Sequence, residues 1–142
     1  MVRDFTDAMK EKEKQNKFIV HNHIEMVSVN TEEAVFQLEI REESKNSFGM
    51  VHGGALYAMA DNAAGFVVHT DGRHHVTQTS AMHFLRNQAE GVVTATARVR
   101  HRGNTTSLIM VDITSDTGKL IATGEFHFFC IDKALIDQKT QK

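Results

Sequence analysis

Residues 53–68 read GGALYAMADNAAGFVV, in which Leu56, Met59, Ala60, Ala63 and Val67 recur at the spacing of one helix face. The segment is expected to form one long helix. Ala55, Ala58, Ala60, Ala63, Ala64 and Gly65 leave it little side-chain bulk, so a sheet or another helix can approach its backbone closely. It reads as buried and central. On both sides the period changes. Between Ile19 and Ile40 two segments read as strands; in the second, Ala34, Phe36, Leu38 and Ile40 alternate with Val35, Gln37 and Glu39, and Asn30 to Glu32 form the turn between the two. Everything after Asp71 reads as strand. Val93, Ala95, Ala97 and Val99 alternate with Thr94, Thr96, Arg98 and Arg100, while Ile109, Val111 and Ile113 alternate with Met110, Asp112 and Thr114. Gly91, Gly103-Asn104 and Asp116-Thr117-Gly118 suit tight antiparallel hairpins, and a last strand runs from about Lys119 to Ile131. At the other end, the charged stretch Asp4 to Lys17, with Phe5, Ala8 and Met9 as its apolar positions, reads as a peripheral surface helix within residues 1–17. This order predicts an α+β domain, a helix packed on a curved antiparallel sheet.

The chain has 142 residues, the length of a single domain, so residues 1–142 are read as one. Sixteen Lys and Arg against eighteen Asp and Glu give a net charge of -2, which supplies no basic field for a nucleic-acid backbone. A single cysteine, Cys130, excludes an internal disulfide and predicts a reducing compartment. No stretch approaches the roughly eighteen apolar residues that span a bilayer, and the N-terminus lacks the apolar core of a signal peptide. A cytoplasmic protein without a membrane or nucleic-acid partner is expected.

Several chemical devices are absent: no G-x-S-x-G elbow, G-x-G-x-x-G, P-loop or H-E-x-x-H occurs. His21 and His23, or His74 and His75, have no third ligand at a suitable spacing, so they read as solvated polar residues and no metal is expected. Cys130 lies in an apolar run that would hide a thiol and raise its pKa. The informative stretch runs from Asn46 to Gly65. Asp61 stands in the middle of the small, apolar helix, where an unpaired carboxylate is costly. Either it faces a solvated side or bonds a nearby backbone group, or it is a general base or nucleophile in a half-dry cleft. Gly53 and Gly54 open the helix; they form a tight turn, or they bring N–H groups at the positive end of the helix dipole against a ligand oxygen.

The spaced set Asn46, Gly49, His52-Gly53-Gly54 and Asp61 resembles the hotdog-fold acyl-CoA thioesterases, in particular their phenylacetate-degradation (PaaI-type) branch. The likeness continues through Val76-Thr77, Phe84-Leu85-Arg86, Gly103 and Thr117 to Ala122, and covers about Asn46 to Ile131. It implies a hotdog fold, a sheet wrapped around the long helix, and assembly into a homodimer with continuous sheets and a homotetramer. It also implies hydrolysis of an acyl-CoA thioester to a free acid and CoA, with no cofactor beyond the CoA of the substrate. By position, Asp61 would be the catalytic carboxylate and Gly53 the N–H donor to the thioester carbonyl. Asn46 and His52 would hold that carbonyl and its loop, and Thr77 would stand near the carboxylate and the attacking water. Gly54 and Gly103 would meet the substrate. Asn87 departs from the branch's usual proline, and Asn104 stands where an Arg is common.

Arg98, Arg100 and Arg102 share one side of a strand if period two holds, with His101 between them. They form a solvated face, or at least one, with Arg100 and Arg102 as candidates, meets the CoA phosphates. Phe48, Met50, Tyr57, Met82 and Phe84 suit an aryl or medium-length acyl tail, though any of them can equally be core. The alternative in another class is a non-catalytic acyl-CoA binding or sensing module on the same fold, which would have no need of Asp61. A hotdog dehydratase or hydratase is disfavoured because its His and Asp/Glu motif differs.

Overall fold

A computed structural model describes residues 2–131. The chain opens with two helices, α1 (Thr6–Gln15) and α2 (Lys17–His21), rather than one. Asn16 separates them. Its N–H closes α1 onto the carbonyls of Lys12 and Glu13, and its Oδ1 accepts the N–H of Ile19 to cap α2. The β-branched pair Ile19-Val20, expected to begin a strand, is therefore helical, and the first strand, β1, occupies Ile24–Val29. The turn after it forms where expected, with Asn30 Oδ1 accepting from the N–H groups of Glu32 and Glu33 before β2 (Glu33–Glu39).

The long helix, α3, spans Gly53–Val68, and β3 (His74–Phe84), β4 (Val92–Arg102), β5 (Thr106–Thr114) and β6 (Leu120–Ile131) follow. All six strands pair antiparallel in the order β1-β2-β4-β5-β6-β3. Gly91 is thus no hairpin turn, because β3 and β4 do not pair: the chain crosses from the outer edge of the sheet to its middle. Gly103-Asn104 and Asp116 to Gly118 do connect paired neighbours. At Gly103 a Cβ would lie 2.6 Å from the carbonyl oxygen of Thr106, a distance that only glycine tolerates.

Leu56, Met59, Ala60, Ala63, Ala64 and Val67 bury one face of α3 against Phe36, Val93, Ala95, Ala97, Val111 and Ile113 of the sheet. Alanines on both surfaces allow the close approach that the helix composition predicts. Each fully buried large side chain there contributes about 1.5–3 kcal/mol. This is the curved six-stranded sheet around a central helix of the hotdog fold.

Two further local expectations fail. A β-bulge between Val99 and His101 breaks the period of β4, so Arg98, Arg100 and Arg102 do not share a face. His75 is buried rather than solvated, although its neighbour His74 is exposed.

Candidate active site

The loop before α3 is closed by Asn46, whose Oδ1 accepts the N–H groups of Phe48 (2.9 Å) and Met50 (3.1 Å) and whose own N–H donates to Met50 O. Its Nδ2 makes no hydrogen bond among the described residues. His52 is the cap of the helix: its Nδ1 accepts the N–H of Gly54 at 2.7 Å. That bond occupies Gly54 N–H, whereas Gly53 N–H, at the positive end of α3, has no acceptor among the described residues. The Phe84 ring lies 3.6 Å from where a Cβ of residue 53 would stand.

Asp61 sits two turns further along, half-buried, and accepts from Thr77 Oγ1 at 2.9 Å. Thr77 reaches it from β3, immediately before a bulge between Thr77 and Thr79. Burial lifts the Asp61 carboxyl above the ordinary aspartate value, and the Thr77 hydroxyl offsets part of that rise. Beside this pair lies an open cavity of about 360 Å³. Its apolar lining comes from Met9, Phe66 and Phe128, and its polar lining includes Asn16, Asn62, His69 and His75. Phe48, Met50, Tyr57, Met82 and Phe84 take no part in it. The residues that do were not legible as a group, because α1, α3, β3 and β6 each supply some of them.

A second polar cluster was also missed. The carboxylate of Asp71 receives Arg73 Nε (2.9 Å), Arg102 Nη1 (3.0 Å) and His75 Nε2 (3.0 Å). Burial opposes its charge, but the Arg73 N–H, the His75 ring and the Arg73 guanidinium outweigh this and hold Asp71 at about 2. Arg102 also donates to Val67 O, Val68 O and Thr31 O, so its guanidinium caps the negative end of α3 and is not free for a CoA phosphate. Gly103 is likewise committed, its N–H to Thr106 O and its carbonyl to Arg73. Arg100 is exposed at the bulge, and Arg98 pairs with Glu33. Among the described residues no group of three His, Cys, Asp or Glu side chains is placed to hold a metal ion, and no helix is long and apolar enough to cross a membrane.

The profile of the thioesterase superfamily matches residues 48–122, the segment that carries Gly53, Asp61 and Thr77. The chain belongs to that superfamily. Among its relatives is a 1,4-dihydroxy-2-naphthoyl-CoA hydrolase of Listeria monocytogenes, 34% identical over 123 residues, covering 84% of this chain and 93% of the relative. The acyl-coenzyme A thioesterase PaaI of Escherichia coli is 30% identical over 100 residues, covering 70% and 71%. The solved PaaI structure superposes with a TM-score of 0.81 at 26% identity, over 86% of this chain and 89% of the other. A thioesterase of Streptococcus pneumoniae solved with coenzyme A gives a TM-score of 0.79 at 27% identity, over 87% and 97%. These likenesses place the chain among the PaaI-type hotdog enzymes, and it is a thioester hydrolase.

Proposed function

We propose that the chain hydrolyses an aryl- or medium-chain acyl-CoA thioester to the free acid and CoA, with Asp61 and Gly53 as its working groups. The observation that carries this reading is the division of α3, with an unbonded Gly53 N–H at its start and a desolvated Asp61 carboxylate two turns on. Asp61 takes a proton from water as the water oxygen attacks the thioester carbon, or it attacks that carbon itself. Gly53 N–H stabilises the oxyanion. The C–S bond then breaks and CoA leaves as the thiolate, which gains a proton. In the direct route, water afterwards cleaves the mixed anhydride. Thr77 holds one carboxylate oxygen and thereby fixes the direction of the other. Asn46 and His52 hold the loop that presents Gly53. Coenzyme A bound to the S. pneumoniae neighbour supports an acyl-CoA substrate, and the exposed Arg100 is the residue we assign to its phosphates. Nothing comparable favours a purely binding module.

The active unit we propose is a homodimer, with pairing into a tetramer. Asp61 and Gly53 stand about 12 Å apart along the axis of α3, too far to serve one carbonyl. Strand β3 is one of the two edges of the sheet and the longer of them, eleven residues long against six in β1, with Val76 and Phe84 exposed. Such an edge invites pairing with a second copy.

Replacing Asp61 with Asn tests the assignment by thiol release and thermal melting. Turnover should fall by about 10² to 10⁴. The melting temperature at neutral pH should hold or rise, because a carboxyl with a raised pKa costs stability once ionised and the amide removes that cost. For the wild type, the acid limb of kcat should lie above the ordinary aspartate range. A folded Asp61→Asn variant with near-normal turnover would refute the role.

A further inference from the structure

Among the described residues two hydrogen bonds join side chains of α3 to side chains of β3. Thr77 Oγ1 donates to Asp61 at 2.9 Å, and the Tyr57 hydroxyl bonds the Ser80 hydroxyl. The second takes no part in the reaction described above, yet it stands one helical turn from the first. Tyr57 precedes Asp61 by four residues, so the two side chains leave the same face of α3 about 6 Å apart. Their partners on the strand are three residues apart, and strict alternation would turn them to opposite faces. The bulge removes that conflict. Thr77 pairs with Phe128 and Ser80 with Phe126, so the extra residue leaves them two ladder steps apart, about 7 Å, opposite two buried phenylalanines. Both then reach α3, at nearly the spacing that the helix presents. Phe126 also meets the Tyr57 ring edge to face, with centroids 5.9 Å apart, so the ring is held as well as the hydroxyl.

This matched pair of bonds matters because β3 is an edge strand. Within one chain only β6 holds it in the sheet. Thr77 has a short side chain, and a displacement of β3 by about 0.7 Å away from α3 would carry its bond to Asp61 out of range. The Tyr57–Ser80 bond resists that displacement one turn away. Resting on the assignment of Asp61 and Thr77 above, we propose that Tyr57 and Ser80 are positioning residues for the hydrolysis, which hold β3 at the distance and register at which Thr77 orients the Asp61 carboxylate. They act through Thr77 and not through contact with the substrate.

The test is kcat and KM by thiol release, measured well below the melting temperature of each variant. Tyr57→Phe keeps the ring against Phe126 and removes only the hydroxyl; it should lower kcat about 3- to 10-fold, the worth of one hydrogen bond, and leave KM within about twofold. Ser80→Ala should do the same, and the double variant should be no worse than either single one. Ser80→Thr, which keeps a hydroxyl, should restore most of the loss. The deciding comparison is made in Thr77→Val, which should itself lower kcat at least as far. With the Thr77 hydroxyl gone, adding Tyr57→Phe should cost less than about a further twofold, because the bond that it protects no longer exists. Losses that multiply in full would overturn the proposal, since Tyr57 would then act independently of Thr77. A raised KM with unchanged kcat would overturn it too, by making Tyr57 a substrate contact. Should Tyr57→Phe not fold, Ser80→Ala carries the same cycle. Normal kcat in folded Tyr57→Phe and Ser80→Ala, beside an inactive Asp61→Asn, would sink this proposal and leave the hydrolase reading standing. Full turnover in folded Asp61→Asn would instead remove the reading on which it rests.

Discussion

A chain carrying Asp61→Ala mixed with a chain carrying Gly53→Val separates a shared active site from a self-contained one. The eight residues between Gly53 and Asp61 correspond to about 12 Å of rise in α3. The attacking group and the oxyanion donor must each lie about 3 Å from atoms of one carbonyl, so a single helix cannot supply both. In a two-fold dimer each site would take Gly53 from one chain and Asp61 from the other. Gly53→Val should fold, because a Cβ at residue 53 meets only the Phe84 ring, at 3.6 Å and beyond, while the added methyls compete with the carbonyl for the space beside the N–H. Each parent should retain about 1% of wild-type activity or less, the loss typical of a missing base or oxyanion donor. In a heterodimer one site carries both defects and the other carries neither, so activity should recover to about half of wild type. Random reassociation of equal amounts makes half the dimers mixed, which sets the total at about one quarter. The assay is thiol release on heterodimers isolated through two different affinity tags. Verified heterodimers that stay at parental activity, although both parents fold and dimerise, would show that Asp61 works without the partner's Gly53.

Two further outcomes are expected. Arg100→Ala should raise KM for acyl-CoA but not for acyl-pantetheine, with the difference fading as salt rises, because phosphate contacts at an exposed arginine are screened over about 8 Å at physiological ionic strength; identical KM values for both substrates in wild type and variant would assign Arg100 to a solvated face. Asp71→Asn should lower the melting temperature by several degrees at pH 7, since it weakens three bonds at once, and the gap to wild type should close as pH falls from about 3.8 to about 2. A depressed carboxyl pKa contributes stability above the unfolded value and loses it on protonation, so a gap that stays constant through that window would exclude the ion-pair account.

Much of the fold was legible because burial is one-sided. Strands β2 and β5, and β4 as far as Ala97, bury every second residue, and α3 buries one stripe, so the two periods separate cleanly. The strand order was not legible: placing β3 at the far edge, beside β6, joins residues some fifty positions apart, as in the pairing of His75 with Cys130. Lys17 to His21 misled because β-branched residues favour strands, while the deciding signal was a single cap, Asn16. The arginine stripe misled because one bulge shifts the register by a residue and sends Arg102 inward. Within the candidate site, Gly53 and Asp61 were named from one local stretch and Thr77 from the family resemblance. Met9, Asn62, His75 and Phe128 were not, since nothing local distinguishes buried His75 from exposed His74.

The feature that makes α3 a core helix also sets the surroundings of Asp61. Ala60, Ala63 and Ala64 are wholly buried and let the sheet approach the helix backbone, which brings β3 near enough for the short side chain of Thr77 to reach Asp61. The same approach strips part of the water from the carboxyl, and that loss, not a neighbouring charge, is the largest influence raising its pKa. Bulkier residues at these positions would hold the sheet away, return water to Asp61 and lower its basicity. The alanines thus act on packing and on proton affinity through one distance. Asp61 can remain in the middle of an apolar helix because Leu56, Met59, Ala60, Ala63, Ala64, Val67 and Val68 of that helix are buried, and their burial offsets the cost of a half-dry carboxylate.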